Sequence, residues 1–257
     1  MDLDRKTGAR VVVGLAVSFA LASAAVVGCS GGSGNAPNGE QAQRTAEITS
    51  TDLADMVLPR SELGPRFSKF VEATVSGPMP NHRAATETFA DDTGVDLADR
   101  GRRDGYRRVY SIRAGTPVRA DGLVSGGTYV ESFESEDAAR DYLQNRIAEF
   151  ERAQGEAYRI PDVGTVRYAG VRTFAVSGIG ADAAGLEVAA ETNRRTSYET
   201  QISFRVGRIV ARASTVSVGD FTDRDEALRI AEALESRIVE VVPPREAAAM
   251  KAVPPAV

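Results

Sequence analysis

Two side chains bound the chemistry open to this chain. His82, in Pro80-Asn81-His82-Arg83, is its sole histidine, and Cys29 is its sole cysteine among 257 residues. A Ser-His-Asp or Cys-His mechanism would have to run through His82, because the nucleophile needs a base within hydrogen-bond reach. The flanking prolines and arginine read instead as an ordinary loop. One cysteine forms no internal disulfide, and one cysteine with one histidine forms no Cys/His zinc site. Gly28-Cys29-Ser30-Gly31-Gly32 fits Gly-x-Ser-x-Gly. A nucleophile elbow needs a strand before it and a helix after it, and here a Gly/Ser stretch follows. Gly178-Ile179-Gly180-Ala181-Asp182-Ala183 fits Gly-x-Gly-x-x-Ala. A dinucleotide fingerprint then needs a helix within a βαβ unit. Residues 184–193 read as strand, so a glycine-rich turn is expected.

The charged groups offer more. Arg100, Arg102, Arg103, Arg107 and Arg108 surround Tyr106, with Tyr110 nearby. Guanidinium forks match phosphate oxygens, so Arg102, Arg103, Arg107 and Arg108 are candidate anion contacts for headgroups or a phosphorylated polymer. The competing reading is a charged loop and strand edge that discourages aggregation. Asp91, Asp92 and Asp96 form one acidic cluster, and Asp220, Asp223 and Asp225 another. Neither has the spacing of an EF-hand loop, and helix capping explains the second. No pair of catalytic carboxylates stands out among 36 acidic residues, so no catalytic residue, metal ligand or cofactor is assigned. The formal net charge is −5; residues 1–28 carry +1, which leaves −6 for the remainder. A domain this acidic is a poor match for nucleic acid.

Arg5, Lys6 and Arg10 precede an uncharged run from Val11 to Val27. This is the basic-then-apolar order of an export signal. At the end of the run, Val26-Val27-Gly28-Cys29 resembles the lipobox of bacterial lipoprotein precursors. The resemblance implies that the Cys29 thiol receives a diacylglycerol group and that a peptidase cuts between Gly28 and Cys29. Three other readings stay open: an uncleaved anchor helix, a signal cut after Ala22-Ser23-Ala24, and a buried core helix. The run is short for a hydrocarbon core that wants about 20 residues. A polar Gly/Ser/Asn/Pro stretch follows to about residue 46. At ~5–6 Å × √n such a leash reaches roughly 20–25 Å.

Elements must position whatever the folded part binds. In "TSYETQISFRVGRIVARASTVSV", Tyr198, Thr200, Ile202, Phe204 and Val206 alternate with Glu199, Gln201, Ser203 and Arg205, which predicts a half-buried strand. Gly207-Arg208 fits a two-residue II′ turn, pairing Val206 with Ile209, Phe204 with Ala211 and Ile202 with Ala213. Glu199, Gln201, Ser203 and Arg205 then share the other face with Arg212 and Ser214. Asp223 opens a helix with the stripe Ala227, Ile230, Ala231, Leu234, Ile238 and Val241, ended by Pro243-Pro244. Earlier, "GYRRVYSI" and "SGGTYVESFE" read as strands before a helix from Ser135 to about Gln154, with the stripe Ala139, Tyr142, Leu143, Ile147 and Phe150. The two ββα stretches fit either an old duplication or two uses of one common motif. Strands are also expected at Gly164–Tyr168, Val171–Val176 and Leu186–Ala190. A short helix is expected at 51–58, another within 83–101, and a turn with an extended piece over 61–70.

The expected fold is α+β, an antiparallel sheet with two or three helices mainly on one face. The expected organisation is a signal peptide at 1–28, a lipidated cysteine and flexible tether at 29–47, one domain at 48–243, and a disordered tail at 244–257. The pattern is similar to uncharacterised exported lipoproteins of GC-rich bacteria and to the PsbP-like α/β/α sandwich, without a diagnostic motif in either case. The leading functional expectation is a lipid-anchored envelope protein. It would be a non-catalytic module for an unknown ligand or protein, held to the cytoplasmic membrane's outer face, or to the outer membrane of a diderm cell. Two alternatives stay open. One is a lipid or small-molecule carrier with an apolar cavity. The other is an envelope hydrolase with two carboxylates about 5–10 Å apart.

Overall fold

The computed structural model describes residues 47–85, 97–118, 122–160, 164–192, 195–221 and 224–242. The expected signal segment, Cys29, nearly all of the tether, Asp91, Asp92, Asp96, Asp223 and the tail from 244 lie outside the described residues. Along the chain come α1 (Ser50–Met56), β1 (Val71–Glu72), β2 (Gly77–Pro78), α2 (Asn81–Ala85), β3 (Arg102–Ser111) and β4 (Leu123–Phe133). Then follow α3 (Glu136–Arg152), β5 (Ala157–Ile160), β6 (Gly164–Ala175), β7 (Ala181–Thr192), β8 (Thr196–Val206), β9 (Ile209–Ser217) and α4 (Arg224–Val241).

All nine strands join one antiparallel sheet in the order β1-β3-β4-β9-β8-β7-β6-β5, with β2 beside β1 on the same edge of β3. The β8–β9 register is the expected one: Val206 faces Ile209, Phe204 faces Ala211 and Ile202 faces Ala213. Gly207 has φ +58°, and Arg208 is not among the residues with positive φ. That combination is a II′ turn, whose twist suits a hairpin. Ser135 caps α3 by accepting from the Ala138 N–H, and Thr49 and Asp52 form a capping box on α1.

Three strand expectations change. Gly164–Tyr168 and Val171–Val176 are a single strand, β6, whose register shifts between Tyr168 and Gly170. An extra residue in a ladder breaks the side-chain alternation without ending the strand. Leu186–Ala190 is the middle of the longer β7. β1, β2 and β5 are too short to leave a period in the sequence. Over 61–70, where a turn and an extended piece were expected, the chain makes two 3-10 turns, Arg60–Glu62 and Pro65–Phe67, and the extended piece begins only at β1. Of the span 83–101, where a short helix was expected, 83–85 close α2 (Asn81–Ala85), 86–96 lie outside the described residues, and Leu97–Arg100 is a turn.

The expectation of helices mainly on one face is also corrected. α4 and α1 cover one face. There Ile230, Leu234 and Ile238 pack with Leu53, Met56, Ile202, Phe204 and Ala213, all at 0% exposure. α3 covers the opposite face, setting Ala139 and Leu143 on Phe133 and Val210, and Phe150 on Val171, Leu186 and Val188. The result is a three-layer α/β/α sandwich. The physical reason is parity. Val210 and Phe133 alternate with the residues under α4, so a helix that buries them must lie across the sheet from α4.

This placement bears on the two ββα stretches. β4 and β9 pair antiparallel at the centre. A two-fold axis relating β3–β4–α3 to β8–β9–α4 would stand normal to the sheet and leave both helices on one face. With helices on opposite faces the two units have opposite hand. Two uses of a common motif account for them better than duplication of one folded unit.

Candidate functional site

The four candidate anion contacts do not converge. Arg102 is 1% exposed and fully engaged: Nε donates to Glu131 at 2.7 Å, and its other nitrogens donate to Asn81 Oδ1 at 2.6 Å and to the Met79 carbonyl at 2.8 Å. Gly105 leaves room for this guanidinium, since a Cβ there would collide with it. Arg107 is buried and donates from Nε to the Val75 carbonyl at 2.7 Å. Arg108 lies on the other face, reaching the Val57 carbonyl at 3.3 Å, and Arg103 pairs with Glu134 at the surface. Arg102 and Arg107 thus hold the β2 edge and the loop before α2 onto β3. His82 is exposed on α2. Gly178–Gly180 is the turn from β6 into the antiparallel β7, as its strand-like sequel requires.

Charged side chains gather elsewhere, between α3 and the sheet. The polar face of the β8–β9 hairpin lies beneath α3, where Gln201, Ser203, Arg205 and Ser214 are buried. Along α3 the apolar contacts fall into two separate clusters. Ala139, Leu143 and Ile147 pack in one and Phe150 in the other, and Arg146 stands at the gap between the two, 5.2 Å from the Phe150 ring. Opposite this gap stand Tyr129 and Glu131 from β4, Arg212 from β9 and Glu199 from β8. Tyr129, Glu131, Tyr142, Arg146, Glu199 and Arg212 are each neither buried nor exposed. Together they form a polar crevice between α3 and the sheet, each side chain partly open to water.

Its electrostatics are uneven. Burial alone would raise the Glu131 carboxyl, but Arg102 and Arg212 outweigh it and hold Glu131 below the ordinary carboxylate range. Glu199 goes the other way: burial raises its carboxyl, and Arg212, Arg146 and a hydrogen bond from Ser214 offset only part of that. Burial, reinforced by Glu131, pushes Tyr142 up to about 12; burial and Glu199 do the same to Tyr168. Both phenols therefore stay protonated donors, and Tyr142 donates to Glu131 at 3.3 Å. The Arg212 guanidinium lies 3.9 Å over the Tyr129 ring, while its buried Nε has no hydrogen-bond partner.

Two other places are better satisfied or more open. Glu187 on β7 accepts two bonds from Arg224, at 2.9 and 3.0 Å, and pairs with Arg172 at 2.8 Å. The two arginines stack on Phe174 and Phe221, so this cluster pins the start of α4 to the sheet. A cleft of about 630 Å³ beside β1 is lined by Arg60, Ser61, Gly64, Pro65, Ser68, Glu72 and Tyr110. Arg60, Ser61, Pro65, Ser68 and Glu72 are exposed there, which makes it a shallow rim over the Tyr110 ring. Among the described residues no group of three or more His, Cys, Asp or Glu could hold a metal ion.

Fold and site together define an α/β/α sandwich with a charged crevice under one helix. No protein-family model matches the chain, and no curated protein matches it. Among solved structures it is similar to the extracellular domain of PknH from Mycobacterium tuberculosis, with 13% identity and a TM-score of 0.50 over 76% of this chain and 99% of that one. It is also similar to the protein of unknown function PA94 from Pseudomonas aeruginosa, a putative regulator, with 13% identity and a TM-score of 0.29 over 60% of this chain and 87% of that one. At such identity the likeness to the PknH domain is one of fold.

The sequence signal for the crevice was present. Arg146 falls within the sheet-facing side of α3, and Glu199 and Arg212 fall on the hairpin's polar face. Period two assigns that face to the side away from Phe204, and it leaves open whether water or a helix covers it.

Proposed function

We propose that this chain is a lipid-anchored, extracytoplasmic binding module without catalytic activity, and that the crevice beneath α3 is where it binds. The observation that carries the binding site is the set of partly exposed ionisable side chains between α3 and the sheet, Glu131 and Glu199 displaced in opposite directions among them. Displaced titratable groups gather at ligand sites. Placement outside the cytoplasm draws support from the lipobox-like Val26-Val27-Gly28-Cys29 and from the fold shared with an extracellular domain. No helix among the described residues is long and apolar enough to cross a membrane.

The carrier alternative needs an apolar cavity. The layer between α4 and the sheet is filled by Ile202, Phe204, Ile230, Leu234 and Ile238, and the crevice is polar. The hydrolase alternative has one point in its favour: Glu131 and Glu199 are displaced in opposite directions, as an acid and its partner base would be. Against it, Glu131 is already held by Arg102 and Tyr142. Binding is the reading the geometry supports best.

Mass spectrometry of the full chain purified from its membrane tests both parts. The denatured chain should begin at Cys29 and carry lipid mass there. Sprayed natively, it should keep a small polar ligand that Arg146→Glu loses. A chain that still includes residues 1–28 would refute the anchor. A bound mass unaffected by Arg146→Glu, or none at all, would refute the site.

A further inference from the structure

We propose that the free edge of β6 is a self-pairing surface, on which a second copy of this chain adds antiparallel and joins two sheets into one. β6 has 12 residues, whereas its outer neighbour β5 has 4 and pairs only with residues 164–167. One more rung follows: Gly155 donates to the Tyr168 carbonyl, and Tyr168 donates to that of Glu156. From Ala169 to Ala175 the outer backbone groups meet no partner among the described residues. Ala169, Arg172, Thr173 and Ala175 are exposed along this stretch. Folds blunt such an edge with lysine, proline, an inward charge or a covering segment. The opposite edge, β3, is covered by β1 and β2. Residues 169–175 hold neither proline nor lysine. Their one charge, Arg172, is turned back onto its own molecule, where it pairs with Glu187 at 2.8 Å and lies over the Phe221 ring.

The chain's own ends are poor occupants, since the tail after residue 243 is rich in Ala and Pro and the tether in Gly and Ser. A second β6 is self-complementary. A two-fold axis normal to the sheet keeps like faces together, so it must pass at a residue rather than between two. Centred on Arg172, it would set two arginines against each other. Centred on Phe174, it would run past Ala175, where β6 ends. Centred on Thr173, it pairs threonine with threonine, Arg172 with the partner's Phe174, and Val171 with the partner's Ala175. Threonine pairs and a cation beside an aromatic ring are favourable cross-strand neighbours. The edge lies strands away from Glu131 and Arg212, so this pairing is independent of what the crevice holds.

Sedimentation velocity of the full chain in detergent, over a concentration series, reads the pairing. So short a paired stretch predicts a weak, reversible dimer. Thr173→Glu should weaken it about tenfold, because two carboxylates then face each other at the axis beside Glu151, which accepts from the Thr173 hydroxyl at 3.4 Å. Its unfolding midpoint should match the parent's, since Thr173 is exposed. Thr173→Cys tests the register. Directly opposed strand residues have Cα atoms about 4.5–5.5 Å apart, within disulfide range. After oxidation with copper phenanthroline, peptide mapping should find position 173 joined to position 173. Ala175→Cys, roughly 14 Å along the strands from its counterpart, should not link. Should Thr173→Glu not fold, the two cysteine variants decide alone. A parent that stays monomeric at every concentration, a dimer indifferent to Thr173→Glu, or equal linking at 173 and 175 would each overturn the proposal. A monomer that captures an extended peptide on this edge would overturn it as well, by giving the edge another occupant.

Discussion

Glu131 and Glu199 share one crevice and titrate in opposite directions, so pH should separate them. Glu131 is held below its ordinary value by Arg102 and Arg212 once burial is overcome. Its contribution to stability is present above its unfolded pKa and is lost as pH falls through the folded one. Glu131→Gln leaves the Arg102 side chain, 0% exposed, without its countercharge. We expect a loss of about 3 kcal/mol at neutral pH, read from urea midpoints. Glu199 is raised above its ordinary value by burial. Its contribution is complete below the unfolded pKa and disappears as pH rises through the folded one. Glu199→Gln should therefore match the parent at low pH and be the more stable chain at pH 8. Equal urea midpoints at both pH values would contradict this assignment.

At the scale of elements, the II′ turn and the two amphipathic helices carry the architecture. Gly207 holds φ +58° between β8 and β9, so Gly207→Ala should cost about 1–2 kcal/mol in thermal or urea unfolding without moving the register. The register itself is secured by Ile202, Phe204 and Val206, since a one-residue slip would turn them away from α4. Ser135 accepts from the Ala138 N–H at 3.1 Å and starts α3. Ser135→Ala should destabilise by about 1 kcal/mol, and hydrogen exchange should show the first turn of α3 fraying. The Glu136 and Asp182 carboxylates meet Arg205 at the same end, at 3.0 and 2.8 Å, so α3 is also tied to the sheet beyond its cap.

For the whole molecule, the proposed anchor and the folded sandwich are separable. Cys29→Ser should abolish labelling by radioactive fatty acid and leave the precursor uncut, because the peptidase that the lipobox implies acts after lipid transfer. Its α/β/α body should keep the parent's unfolding midpoint. Normal labelling in that variant would contradict the anchor. β1 and β2 are two residues each and break the β3 edge, and among the described residues the one large apolar side chain left exposed is Val239, at 39%.

Much of this was legible in local pattern. Alternation from Tyr198 to Val206, a glycine at the one turn position that wants positive φ, and apolar residues at helical spacing around Ile230 and Leu143 determined hairpin, register and helices. These signals act over a few residues and leave a period behind. Which face each helix covers did not show, because Val210 and Phe133 are too few to declare a second buried face in a polar strand. The crevice was hidden for the same reason. Arg146, Glu199 and Arg212 look like solvated charge along the chain, and they come together only when α3 crosses back over β4, β9 and β8. Proximity across layers is decided by packing, to which no local period corresponds.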